Sequence, residues 1–375
     1  MTANSERRPP QNIGVGVIGT GSWGRNMLRA LSSNENTRLL HVCDQNPSAL
    51  DAISHLYPGV RMTRRCGDVL ADSDVEAVYI ATPPATHAEL ASAALRAGKH
   101  VLVEKPLSMT LADANAVREL AERHGRTLMV GHTFLYSPPV LKLKELIEGG
   151  ALGTISYVES QRVSSGRYQA AGVLWDLAPH DVSIILFCLG HVPCGVSATG
   201  RPSVRNGRED EVFITLDFPN GAVADIHVSW LSPVKLRKMI VSGSRCTAVY
   251  DDALGPNALK IFGHAGGRDD DPVIPLLEDT EPLRAEWAHF VDCIRTGDMP
   301  RSDAANGSRV VQIMEAAERA LKTGRREPVE TNIRRFWSAD PAAPSWLAGD
   351  GADLEGGERD TELPGVLGEA RATRR

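Results

Sequence analysis

A glycine-rich turn near the N-terminus constrains the fold of this chain more than any bulk property. Residues 13–24 read IGVGVIGTGSWG, an apolar β-branched run that breaks at Gly19, Gly21 and Gly24 and continues as RNMLRALSS with helical spacing. A buried parallel strand has that composition, and a strand that turns at once into a helix opens a βαβ unit. The first glycine permits the tight turn, the second leaves the backbone approachable, and the third lets the helix pack close to the strand. The free N–H groups at such a helix start suit an anion.

The same rhythm continues to residue 133. RLLHVCD (38–44), EAVYIAT (76–82), HVLVEKP (100–106) and TLMVGHT (127–133) read as further strands, and segments with apolar residues three and four apart lie between them. Thr110 can cap one helix, and Gly98 and Gly125 can end two others. After residue 150 the strands alternate apolar and polar residues, as in an antiparallel sheet, with one helical insertion around 176–190. VFITLDF-PNG-AVADIHVSW reads as a hairpin, with Val212, Ile214, Leu216 and Phe218 on one face. KMIVSG and CTAVYDD continue that sheet, and amphipathic helices over 281–297 and 306–324 are expected to close the second domain.

A chain of 375 residues calls for about two packed units. The expected organisation is a flexible N-terminus (1–11), an α/β Rossmann dinucleotide-binding domain (12–133) and an α+β domain with a mainly antiparallel open sheet (134–337). The Ala, Gly, Pro, Asp and Glu composition of the tail, 338–375, predicts disorder. A net charge of −6 with mixed signs argues against nucleic acid as a partner. No apolar run approaches the roughly 18–20 residues of a membrane span, and no export signal is read, so a cytoplasmic location is expected. Six scattered cysteines without a C-x-x-C pair suggest neither a metal site nor a disulfide framework. Cys188 and Cys194, the nearest pair in sequence, read as small core residues.

The second strand ends in Asp44, twenty residues past Gly24, where a carboxylate accepts hydrogen bonds from a dinucleotide ribose. The cofactor residues expected are Gly19, Gly21, Ser22, Trp23, Gly24 and Asp44, joined by Thr82, Pro83 and His87 at one further strand end and by Glu104 and Lys105 at another. Asp44 accepts from a 2′-OH and repels a 2′-phosphate, so NAD is favoured over NADP. A plain cap of the turn before Pro47 is the alternative role for Asp44. Arg61, Arg64 and Arg65 carry charge suited to a 2′-phosphate, but nothing in the sequence sets them beside the ribose.

Residues 101–109, VLVEKPLSM, run a buried strand straight into Glu104, Lys105 and Pro106. Hydride transfer from an alcohol needs a group to take the hydroxyl proton, and a desolvated lysine can do so. Glu104 is expected to hold Lys105 in place, and Pro106 to fix its aim. In WDLAPHD, Asp176 and His180 lie four apart and share one face if the segment is helical, so an acid–imidazole pair can form. Pro179 leaves open whether the helix includes Asp176 or begins near Ala178. Tyr136, Arg162 and Arg167 are expected to face the cleft, Arg162 with its planar fork on a sugar or phosphate oxygen. Ser229, Trp230, Lys235 and Arg237 read mainly as sheet and interface structure.

GTGSWG, ATPPATH, AGKHVLVEKP, MVGHTFLY, LWDLAPHD and EPLRAEWAHF, in that order between Asn12 and Thr331, resemble the family of glucose-fructose oxidoreductase, inositol dehydrogenase and the rhizopine-catabolism proteins. The resemblance implies a homo-dimer or homo-tetramer built through the open sheet face. It also implies that Lys105 is the catalytic lysine and that Asp176 with His180 forms the substrate-binding and proton-relay pair. GSWG, GHTFLYSPPV, SQRV and LWDLAPHDVSI look most like the nucleotide-sugar branch, whose members oxidise C3 of a UDP-linked sugar such as UDP-N-acetylglucosamine. Inositol or free-sugar dehydrogenation, 3-ketoreduction of a deoxysugar and a non-catalytic NAD sensor are the competing expectations.

Overall fold

The structure is a computed structural model that describes residues 12–165, 171–202, 207, 209–263 and 271–330. The expectations for residues 1–11, for Arg167 and for the tail 338–375 lie outside the described residues.

The first half alternates β1 (Ile13–Ile18), α1 (Ser22–Ser32), β2 (Thr37–Cys43), α2 (Pro47–Ser54), β3 (Arg61–Thr63) and α3 (Cys66–Ala71). It continues with β4 (Ala77–Ile80), α4 (His87–Arg96), β5 (His100–Glu104), α5 (Leu111–His124) and β6 (Leu128–Gly131). Its six strands pair in parallel in the order β3-β2-β1-β4-β5-β6. The order reverses at β1, so a crevice opens between the carboxyl ends of β1 and β4. Every residue of β1 and β4 is buried, which is why these strands carry continuous apolar runs rather than alternation. Thr110 Oγ1 accepts from Asp113 N at 3.1 Å to start α5, and Gly125 at φ 59° ends it.

After α6 (Pro138–Glu148) come β7 (Ile155–Val163), α7 (Gly172–Leu189), β8 (Gly195–Pro202), β9 (Glu209–Asp217) and β10 (Val223–Ser229). β11 (Leu236–Gly243), β12 (Cys246–Asp251), β13 (Leu259–Gly263), α8 (Pro282–Thr296), α9 (Ala304–Thr323) and β14 (Glu327–Pro328) complete the described chain. Eight strands form one sheet, ordered β13-β12-β11-β7-β10-β9-β8-β14. It is mostly antiparallel, and β7 and β10 pair in parallel at its centre. The β9–β10 hairpin forms in the expected register, with Leu216 opposite Ala224, and buries Val212, Ile214, Leu216 and Phe218.

α7 begins at Gly172, so Asp176 lies inside the helix and Pro179 is an interior residue. By length and composition α7 could cross a membrane, with mean hydropathy 1.4, but 78% of it is buried inside the protein. It is the core helix beneath the second sheet.

α8 and α9 do more than close the second domain. α8 packs on α1, and its buried Trp287 donates Nε1 to Thr37 Oγ1 on β2 at 2.9 Å. α9 packs on α5 and β6 as well as on β8 and α7, and Val130 N donates to Ser302 O at 2.8 Å just before it. β3, α3 and α6 were not anticipated. Three residues are too few to show alternation, six give barely a helical turn and a half, and α6 opens with Pro138-Pro139, tolerated only because first-turn N–H groups have no helical acceptor.

Candidate active site

A cleft of about 750 Å³ runs from the glycine turn to α7. Its cofactor end is made largely of backbone. Gly19 turns at φ 97°, a conformation that disfavours any side chain, and a Cβ on Gly24 would lie 2.0 Å from the Gly19 oxygen. A Cβ on Gly21 would meet nothing within 4 Å, so the open space of the cleft lies over this residue. No side chain caps α1, and Ser22 and Trp23 line the cleft at its start. The first-turn N–H groups are therefore free for an anion.

Asp44 lines the same end. Its Oδ2 accepts from Thr20 N at 2.8 Å and Thr20 Oγ1 at 2.7 Å, and its Oδ1 accepts from Asn46 N at 2.9 Å. Asp44 thus does shape the turn before Pro47, yet three bonds leave a carboxylate about one further lone pair for a ribose hydroxyl. Burial pushes its pKa up, but these bonds and the Arg25 charge outweigh it and hold the carboxyl below its ordinary value. Arg61 pairs with Asp72 and Arg65 with Asp68, while Arg64 Nε donates to the Gln45 carbonyl at 3.2 Å, next to Asp44. The open backbone, the uncapped helix and the ionised acid fit a dinucleotide.

Thr82, Pro83 and His87 line the middle of the cleft. His87 is buried, and its two ring nitrogens lie 2.7 Å from Pro106 O and 2.8 Å from Thr82 O. It ties the loop after β4 to the turn after β5, which makes it a brace for the cleft rather than a free ligand group.

The other end gathers side chains from distant segments. The Lys105–Pro106 peptide is cis, and Lys105 Nζ donates to the Asp176 carbonyl at 2.6 Å, with Asp176 Oδ1 at 3.6 Å. The bend at 104–106 and α7 therefore meet. Burial lowers the Lys105 pKa, and Asp176 and Glu104 only partly restore it. Glu104 acts on the Lys105 amine through its charge, and its hydrogen bond to residue 105 is to the backbone rather than to the side chain. It accepts from the phenol of Tyr79 behind the strand, and burial raises its pKa against the opposing effects of Tyr79 and Lys105.

Asp176 and His180 do not bond to each other. Asp176 Oδ2 accepts from Trp230 Nε1 at 3.3 Å, while His180 packs edge-on against Phe134 with centroids 5.1 Å apart, and its buried Nδ1 has no partner among the described residues. Helical spacing puts the two on one face, but Trp230 and Lys105 take the acid first. Burial and the Lys105 and Arg162 charges hold the His180 pKa far below its ordinary value, so its ring is neutral.

Arg162 is not a free fork. Its Nε and Nη2 bind Asp181 at 2.8 and 3.0 Å, and its guanidinium lies 4.5 Å from the Phe134 ring centroid. Tyr136 is buried away from the cleft, tilted against His289 and under the Arg301 guanidinium. Both expected substrate contacts are thus corrected: β7 is a central strand whose alternation turns Arg162 inward, and the short helical turn at 133–136 turns Tyr136 into the core.

Three neighbours escaped the sequence reading, Tyr79, Phe134 and Asp181, and a fourth, Trp230, read there as sheet and interface structure, holds Asp176 instead. A tyrosine in the all-apolar strand AVYI was the one available signal, because a buried phenol needs a partner.

Two family models match in succession: the oxidoreductase family, NAD-binding Rossmann fold, over 13–132, and the GFO/IDH/MocA C-terminal domain over 140–249. The inositol 2-dehydrogenase of Rhizobium meliloti is 28% identical, over 82% of this chain and 97% of its own. The solved structure of GenD2, from gentamicin A biosynthesis, in complex with NAD has 26% identity and TM-score 0.75, covering 88% of this chain and 100% of that one. UDP-N-acetylglucosamine 3-dehydrogenase GnnA from Acidithiobacillus ferrooxidans has 26% identity and TM-score 0.74, covering 83% and 98%. With two adjacent family models spanning more than half its length over the fold they describe, the chain belongs to the GFO/IDH/MocA family of oxidoreductases.

Proposed function

We propose that this protein oxidises a sugar hydroxyl, at C3 of a UDP-linked sugar, with NAD as oxidant and Lys105 as proton acceptor. The observation that carries the reading is Lys105 Nζ, buried against the Asp176 carbonyl in the cleft that begins at the glycine turn. NAD bound in that cleft supplies a hydride acceptor. As the substrate C–H bond gives up its electron pair, the hydroxyl proton passes to neutral Lys105, whose burial favours the neutral form. Asp176 fixes the lysine through its carbonyl and is itself oriented by Trp230. His180, neutral and with Nδ1 unpaired, is the group for a neighbouring sugar hydroxyl rather than a relay through Asp176.

NAD is preferred over NADP because the Asp44 carboxylate stays ionised at the ribose end. The nucleotide sugar is favoured by the likeness to GnnA over 83% of the chain. The inositol 2-dehydrogenase relative supports a second reading, a cyclic polyol with the same proton acceptor. The exposed face of the second sheet, where Phe213 is 48% accessible and stacks on His227, supports a homo-oligomer formed through it.

The test is reduction of NAD by the purified protein over UDP-sugars, free aldoses and inositols. Turnover highest on a UDP-sugar, with a 3-keto product, supports the proposal. Turnover confined to inositols selects the second reading. NAD binding without turnover on any member leaves a sensor.

A further inference from the structure

We propose that Cys43 and Cys66 form a disulfide-capable pair at the adenosine end of the dinucleotide cleft, so that oxidation of the pair by a small-molecule disulfide and binding of NAD weaken each other. The inference rests on the assignment of that end of the cleft to NAD. The sequence drew attention to Cys188 and Cys194, but Cys43 and Cys66 are the pair that folding brings together, their sulfurs 3.7 Å apart and both thiols free. Cys43 is the last residue of β2 and Cys66 the first of α3, and both line the cleft beside Asp44.

The two thiols are unequal. Cys43 is buried, whereas Cys66 is partly exposed. The hydrogen bond from Cys43 draws the Cys66 thiol down to about 7 against the opposing effect of burial, and the same contact pushes Cys43 far up. Cys66 is therefore the attacking thiolate. Its sulfur displaces one thiolate from a disulfide such as oxidised glutathione, giving a mixed disulfide. The Cys43 sulfur, losing its proton to solvent, then attacks Cys66 and releases the second thiol. Two protein thiols are oxidised to one disulfide, and the reagent disulfide is reduced to two thiols.

The reaction reaches the cofactor site through the backbone. Closing the pair shortens a separation of 3.7 Å to about 2.05 Å. The Cys43 carbonyl accepts from Gly19 N at 2.8 Å, and the next residue is Asp44. Drawing Cys43 toward α3 therefore displaces both the glycine turn and the ribose acid. By linkage, whatever oxidation costs in NAD affinity, bound NAD imposes on oxidation.

The test treats the full-length reduced protein with oxidised glutathione, with and without NAD, and follows it by peptide mass mapping and titration calorimetry. The expected result is a Cys43–Cys66 cross-link, NAD affinity weakened about tenfold, recovery with dithiothreitol, and protection by NAD. Persistent glutathionylation without the cross-link overturns the proposal, as does a cross-link that leaves NAD affinity unchanged. In Cys66→Ser the ratio of affinities after and before oxidant, taken within the variant, should fall to one, and in Cys43→Ala the reaction should stop at a glutathione adduct on Cys66. A ratio that persists in Cys66→Ser places the effect on another cysteine and overturns the pair, as does a Cys43→Ala protein in which Cys66 takes up no glutathione. A reduced chain that binds no NAD removes the cofactor assignment and the antagonism with it, whereas binding without a cross-link removes only the thiol pair.

Discussion

The two ends of the cleft are built differently. At the cofactor end, Gly19, Gly21, Gly24 and Asp44 lie within one βαβ unit, and the surface is mostly backbone. At the substrate end, Lys105, Phe134, Asp176, His180 and Trp230 come from four separate segments, and the site is mostly side chain. A backbone site is specified by conformational need, so glycine spacing announces it. A side-chain site is specified by which groups reach one another first after folding, and spacing alone misjudges that competition.

The largest expected effect is on Lys105. Replacing it with alanine should lower kcat by about a hundredfold to ten-thousandfold, while NAD affinity, measured by fluorescence titration, changes far less. Equal losses in both would merge the two ends into a single binding surface.

Arg162 tests whether the substrate end rests on internal pairing. Arg162→Met leaves the Asp181 carboxylate buried without its fork, a loss of about 3–5 kcal/mol of stability, read by urea unfolding. If stability is unchanged and only KM rises, the fork serves substrate after all.

At the cofactor end, a methyl at position 24 would lie 2.0 Å from a backbone oxygen. Gly24→Ala should cost about 1–3 kcal/mol of stability and weaken NAD binding in calorimetry. Asp44→Asn keeps the shape but removes the charge. NAD should bind about tenfold more weakly, as expected for loss of a charged hydrogen-bond acceptor, and the NAD-to-NADP ratio should fall. An unchanged ratio would return Asp44 to its turn-capping role alone.

The smallest effect is the pH profile. Burial lowers the Lys105 pKa from 10.5. The neutral amine is the working form, so kcat/KM should climb as pH rises through this lowered value and level off above it. The residual activity of Lys105→Ala should lack that limb. A limb in the wild type at or above the ordinary lysine value would place the ammonium in solvent.

The parallel sheet was legible because its strands other than β3 carry apolar runs closed by turn residues, as AVYI and HVLVE show. β3 and α3 were too short to leave a pattern. The mixed second sheet was legible as antiparallel from the β9–β10 hairpin. The parallel pairing of β7 with β10 joins strands separated by α7 and two further strands, which no local signal reports. At the site, the convergence of Lys105 with Asp176, 71 residues apart, followed from the family resemblance rather than from spacing. The capture of Asp176 by Trp230, of Glu104 by Tyr79 and of Arg162 by Asp181 did not, because each partner is 19 to 54 residues away.

The chain leaves its first sheet, builds a second, and comes back: Trp287 reaches Thr37, and the strand-like contact before α9 extends the β6 edge. During synthesis the nucleotide-binding half emerges from the ribosome long before the residues that cover α1 and that edge. Until about residue 320 has been translated, a helix face and a row of unpaired peptide groups stand exposed to solvent and to other nascent chains. A fragment ending after β6 would carry that exposure permanently, and would be expected to self-associate rather than persist as a free-standing cofactor module.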